Sequence, residues 1–197
     1  MKYTLALATL VTTVFATEYC PAPAPSSSSA PTPTPSPAPG PGYFGVISAR
    51  SASPVHLQTL TARGGKFYLG GGPPSSYCPV EQVGAACPPG NTTVLAGGEK
   101  TLSLGVIVPG GQQVYVAPDG ALSYTQAHSA YIPTGSIVDG FSREYPAAGQ
   151  QFGYLNFDTG FVACPASGEG NGYQVFGQVD GATFGPECLG FSALAGK

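Results

Sequence analysis

The stretch TLSLGVIVPGGQQVYVAPDGALSYT, residues 101–125, decides the fold. Leu102, Leu104, Val106 and Val108 recur at every second position, the period that puts side chains on one face of a strand. Pro109-Gly110-Gly111 breaks the run, Val114 and Val116 resume it, and Leu122 and Tyr124 follow Pro118-Asp119-Gly120. Proline and glycine at these breaks are turn formers, so the stretch reads as an antiparallel meander. Outward from it, further strands are expected at YFGVISA (43–49), PVHLQTL (54–60), KFYLG (66–70), FGYLNF (152–157), FVAC (161–164) and GYQVFGQV (172–179). No window keeps apolar residues at helical spacing, and no repeat period is visible. Nine or ten short strands with tight turns predict a single all-β domain over residues 43–197, a β-barrel or a β-sandwich. A chain of that length buries about 68–70% of its surface around one core.

The 42 residues before it read differently. MKYTLALATLVTTVFA, residues 1–16, has a basic Lys2, an apolar run from Leu5 to Phe15, and small residues at Val14 and Ala16. This is the pattern of a secretory signal cut before Thr17. The apolar run is too short for a bilayer, which needs about 20 residues, and the C-terminal CLGFSALAGK lacks a lipid-anchor signal, so no membrane anchor is expected. Residues 17–42 then form a spacer dominated by CPAPAPSSSSAPTPTPSPAPGPG (20–42). Proline fixes φ and favours extended polyproline II, giving a stiff rod of roughly 70 Å at about 3.1 Å per residue. Ser26, Ser27, Ser28, Ser29, Thr32, Thr34 and Ser36 place hydroxyls among prolines, the composition of O-glycosylated stalks. Charged residues are 9% of the chain and the net charge is −3, which leaves no basic field for nucleic acid or an anionic membrane. Asn91-Thr92-Thr93 is an N-glycosylation sequon behind the turn-forming Pro88-Pro89-Gly90.

The chain has five cysteines: Cys20, Cys78, Cys87, Cys164 and Cys188. In an exported protein an even set of them pairs. Cys78 and Cys87 flank a short loop, which would leave Cys164 and Cys188 to close a larger one, although four cysteines allow three pairings. Cys20, on the stalk, is then the candidate for an intermolecular disulfide. The cysteines and histidines lack zinc-site spacing, and neither a metal nor an organic cofactor is expected.

Catalytic signatures are absent: there is no nucleophile elbow, HExxH, P-loop or dinucleotide fingerprint. His128 in YTQAHSAYIPTGS, beside Ser129, is the best single acid–base candidate, yet a lone histidine at a strand end is more often structural. His56 in PVHLQTL is expected to face outward from a strand. Glu81, Glu99, Asp119, Asp139, Glu144, Asp158, Glu169, Asp180 and Glu187 offer no evident pair for glycoside hydrolysis. Asp119 and Asp180 precede glycine and read as turn formers. Tyr68, Tyr77, Tyr115, Tyr124, Tyr131, Tyr145, Tyr154 and Tyr173 could stack on sugar faces where exposed, with Tyr115 expected on the outer face opposite Val114 and Val116.

Four long strings carry a resemblance. ISARSASPVHLQ (47–58), FYLGGGPPSSYCPVEQVGAACPPGNTTVLAG (67–97), VPGGQQVYVAPDGALSYTQAHSAYIPTGS (108–136) and QVFGQVDGATFGPECLGFSAL (174–194) resemble the fungal cell-wall protein PhiA family, also described as IgE-binding cell-wall antigens. The resemblance implies an exported, β-rich protein of the fungal wall, associated with asexual spore formation and without catalytic residues. Asn91 matches its sequon and the cysteines its framework, whereas the proline-rich spacer departs from its pattern. The expected function is that of a non-enzymatic structural wall glycoprotein whose partners are wall polysaccharide or other wall proteins. The alternatives are a secreted elicitor or antigen recognised by a host, and a polysaccharide-binding module.

Overall fold

The computed structural model describes residues 42–75, 92–106, 108–167 and 172–196. None of these residues is helical. Strands β1 (Tyr43–Ala49), β2 (Leu60–Arg63), β3 (Lys66–Leu69) and β4 (Leu95–Leu104) come first. Then follow β5 (Val114–Val116), β6 (Leu122–Tyr124), β7 (Phe141–Glu144), β8 (Phe152–Phe157), β9 (Phe161–Pro165), β10 (Tyr173–Gly177) and β11 (Leu189–Gly196). All pair antiparallel in one curled sheet, so the all-β expectation holds and the barrel-like alternative is the one realised.

Closure comes from β11. Its residues 192–196 pair with β1, and residues 193–196 pair on the opposite edge with β8. Since β1 also pairs with β4, β4 with β7 and β7 with β8, these five strands form a closed circuit. The earlier half of β11, Leu189–Phe191, pairs instead with β9, from which the sheet continues through β10, β3 and β6 to β5, with β2 beside β3. A bridge between Ser103 and Gln113 joins β5 back to the end of β4.

Alternation fills the interior. Phe44 and Val46 on β1, Leu155 and Phe157 on β8, and Ala193 and Ala195 on β11 are all buried. The alanines keep β11 thin on its inner side, which leaves room for the large rings of Phe44 and Phe141. Four phenylalanines run in sequence from one half of the sheet to the other. Phe141 meets Phe157 at 5.3 Å between ring centres, Phe157 meets Phe161 at 6.1 Å, and Phe161 stacks on Phe191 at 5.9 Å.

The expected strand at 54–60 is corrected. Residues 51–57 form turns, and β2 begins only at Leu60. The buried Ser48 hydroxyl bonds the Val55 carbonyl and accepts the Gln58 N–H at 3.2 Å, while Leu57 takes a left-handed φ of 57°. These local bonds fold the segment over the end of β1, which no extended strand could satisfy. The central stretch is a meander as expected, but β4 stops at Leu104. There Gly105 donates its N–H to the Val94 carbonyl at 2.7 Å and the chain leaves the sheet, so Val106 and Val108 are not strand residues.

Candidate functional site

An exposed aromatic surface is built where β7 turns into β8. Gly153, Leu155 and Phe157 point inward along β8, so Phe152, Tyr154 and Asn156 share its outer face. Phe152 is 37% exposed and Tyr154 43%. Register places Glu144 of β7 directly beside Tyr154. The Asn156 side-chain amide donates to Glu144 Oε1 at 2.8 Å, which fixes both polar groups at the edge of the rings.

The connection between the two strands carries the third ring. Gln150 closes a turn by donating its N–H to Ala147 at 2.9 Å, and Tyr145 stands 64% exposed at its start. Tyr145, Pro146, Gln150, Gln151 and Phe152 line a concavity of about 690 Å³. That volume lies within the range of small-ligand pockets.

Two of the rings are braced from behind. Arg143 belongs to the inward-facing set of β7, and its guanidinium lies 3.9 Å from the centre of the Phe44 ring and 4.6 Å from that of Tyr145. It donates to the Gly42 carbonyl at 3.3 Å, while its Nε has no hydrogen-bond partner among the described residues. Stacking therefore does much of the holding, and at these distances cation–π attraction is effective. Phe152 is braced by the backbone of β11. A Cβ on its register partner Gly196 would stand 2.7 Å from two ring carbons, so only glycine lets the ring lie there.

The other candidates fall elsewhere. Tyr124 is buried edge-on against Phe67 at 5.5 Å, Tyr68 lies under the Arg63 guanidinium at 4.7 Å, and Tyr173 packs against the core. Tyr115 lies on the face opposite the buried Val114 and Val116, as alternation predicts, and is itself half-buried there. Burial pushes its hydroxyl above the usual tyrosine range, partly countered by the Ser123 hydroxyl and reinforced by nearby Tyr131 and Asp119. The segment that carries Tyr131 returns to bridge Ile137 to Val116, next to Tyr115. Tyr131 itself is 75% exposed within that segment. Tyr77 lies outside the described residues.

His56 sits on a turn, not a strand, and its Nδ1 accepts the Arg50 N–H at 3.3 Å. His128 is exposed in the connection between β6 and β7, with a left-handed φ of 62°. Glu99, Asp119, Asp139, Glu144, Asp158, Asp180 and Glu187 are all exposed. Asp119 is a turn former as expected, its Oδ1 accepting the Ala121 N–H at 3.0 Å; Asp180 lies in the turn closed by Val179 and Ala182. Glu81 and Glu169 lie outside the described residues. Among those residues, no group of three or more His, Cys, Asp or Glu side chains comes together.

Cys164 and Cys188 are disulfide-bonded across a sequence separation of 24. Cys20, Cys78, Cys87, Asn91 and the hydroxyls of Ser26 to Ser36 lie outside the described residues, as do the signal and nearly all of the spacer. Sequence reasoning named Tyr145 and Tyr154 and missed Phe152, Arg143, Gln150 and Gln151. The signal for Phe152 was present, since alternation in FGYLNF turns it to the same face as Tyr154.

Fold and site thus define an all-β, disulfide-bonded domain with a braced aromatic surface. The chain belongs to the PhiA-like secreted protein family, whose model matches residues 44–197. It is also similar to an uncharacterized secreted protein of Arthroderma benhamiae, 46% identical over 127 residues that cover 62% of this chain and 61% of the relative. The matched part thus falls short of two thirds of that fungal relative's length. No solved structure matches it.

Proposed function

We propose that this secreted protein is a non-enzymatic structural glycoprotein of the fungal cell wall, serving the formation of spore-bearing phialides and conidia. The observation that carries the reading is the match of a secreted family across the whole β domain. The proline-rich stalk supports it, because a stiff, hydroxyl-bearing spacer suits a domain held within a carbohydrate matrix. Low charge supports it too, since a neutral matrix gives charged surfaces nothing to pair with. The absence of an enzymatic role in this reading follows the family resemblance, which brings no catalytic residues with it.

Sequential extraction of isolated walls tests the proposal. Detergent is expected to leave the protein in the wall and reductant to release it, with Cys20→Ser moving it into the detergent fraction. Recovery of all the protein from culture medium, with none in washed walls, would refute wall residence. Loss of the gene product is expected to impair conidiation, scored as spores per unit area of colony.

A further inference from the structure

We propose that the concavity bounded by Tyr145 and Phe152, extended by Tyr154, binds an uncharged β-linked glucan chain. The inference rests on the wall reading for its biological setting, but its physical argument stands on this surface alone.

A β-linked glucose unit is amphipathic in a particular way. Its hydroxyls radiate from the ring edge, while its two faces present C–H groups. Such a ligand needs flat, exposed aromatic rings for its faces and amide or carboxylate groups for its edge. This surface offers both. Phe152 and Tyr154 stand two residues apart on one strand face, about 6.7 Å of rise, so one extended chain can lie across both rings. Gln150 and Gln151 line the concavity, and the hydrogen-bonded pair of Glu144 and Asn156 flanks Tyr154.

Pre-organisation distinguishes Tyr145 and Phe152 from the exposed Tyr131. Tyr145 has the Arg143 guanidinium on one side, and Phe152 lies against the backbone at Gly196. Rings already fixed lose little conformational freedom on binding, so more of the contact energy appears as affinity. Tyr131, by contrast, is 75% exposed at a loop tip.

Charge selects the ligand class. No ionisable acid or base except the tyrosine hydroxyl lines the concavity. The neighbouring guanidinium is stacked between Phe44 and Tyr145, and the neighbouring carboxylate accepts from Asn156. An anionic lipid, nucleic acid or uronic-acid polymer finds no cationic cradle here. A neutral glucan needs none.

The test titrates the full secreted chain with a soluble β-glucan oligosaccharide, followed by calorimetry, and repeats the binding on insoluble β-glucan by sedimentation. Tyr145→Ala and Phe152→Ala are each expected to weaken binding about tenfold, the loss of one stacked ring, equivalent to about 1.4 kcal/mol. Tyr145→Phe, which keeps the ring, should retain it, and Tyr131→Ala should bind as the unmodified chain does. Melting temperatures of Tyr145→Phe and Tyr131→Ala should stay within a degree or two, whereas Tyr145→Ala and Phe152→Ala also lose packing, so all binding is measured well below each variant's own melting temperature. The proposal is overturned if the unmodified chain does not bind, if Tyr131→Ala weakens binding as much as Tyr145→Ala, or if a chitin oligosaccharide is preferred. The two readings fail separately. Glucan binding by a protein found only in culture medium keeps the site and removes wall residence; wall retention without glucan binding does the reverse.

Discussion

Thr93 completes the sequon Asn91-Thr92-Thr93, and in the folded domain its side chain is buried and its hydroxyl accepts the Ala62 N–H at 2.7 Å. Replacing it by valine strands that buried N–H, at a cost of about 1–3 kcal/mol. Thr93→Val on an Asn91→Gln background, with no glycan in either chain, should therefore lower the melting temperature by several degrees. Thr93→Ser should restore most of it. Equal melting temperatures for the valine and serine variants would show that the bond contributes nothing. Tyr115 supports a second prediction. Its folded pKa is raised by burial, so the folded state holds the phenol proton more tightly than the unfolded state does. Its stabilising contribution is intact below about pH 10 and declines as pH rises from there through the folded value. Spectrophotometric titration should show a late-ionising tyrosine that disappears in Tyr115→Phe, and that variant should lose less stability across the same alkaline range.

Elements were legible in proportion to the contrast within their sequences. The strands in YFGVISA, KFYLG, FGYLNF, FVAC and GYQVFGQV are where alternation placed them, within a few residues at their ends. The first half of β4, β7 and β11 were not anticipated. LAGGEK carries two glycines, FSRE two charges, and LGFSALAG mostly small residues, so none shows an apolar stripe. Each is specified instead by its neighbours across the sheet. The aromatic surface was half legible for the same reason: rings can be read from composition, but their bracing by Arg143 and Gly196 is a long-range contact. Packing between elements is tight around Phe157. A Cβ on Gly177 would stand 2.6 Å from its ring. Gly177→Ala should then destabilise the domain by about 1–3 kcal/mol, with Phe157→Leu recovering part of the loss, as measured by urea unfolding. The link from β9 to the start of β11 is covalent as well. Removing Cys164 and Cys188 together should cost about 3.5 kcal/mol on the chain-entropy model, visible as a fall in the melting temperature of roughly 7–14 °C.

At the scale of the molecule, β11 holds the sheet together by serving β1, β8 and β9 with one strand. Ending the chain at Cys188 should leave those three strands with open edges, and open edges seek other chains. The expected product is aggregated material on size exclusion, with no cooperative unfolding transition. A monomer that melts cooperatively would show that closure is dispensable. The dependence on β11 also sets a timetable. Leu189 follows Asn91 by 98 residues, so at ordinary synthesis rates about 5–20 s pass between the two leaving the ribosome. Throughout that interval the circuit is open, and the domain that encloses Thr93 is incomplete. An enzyme that glycosylates emerging chains at asparagine meets the whole sequon, its threonine hydroxyl included, before folding withdraws that hydroxyl.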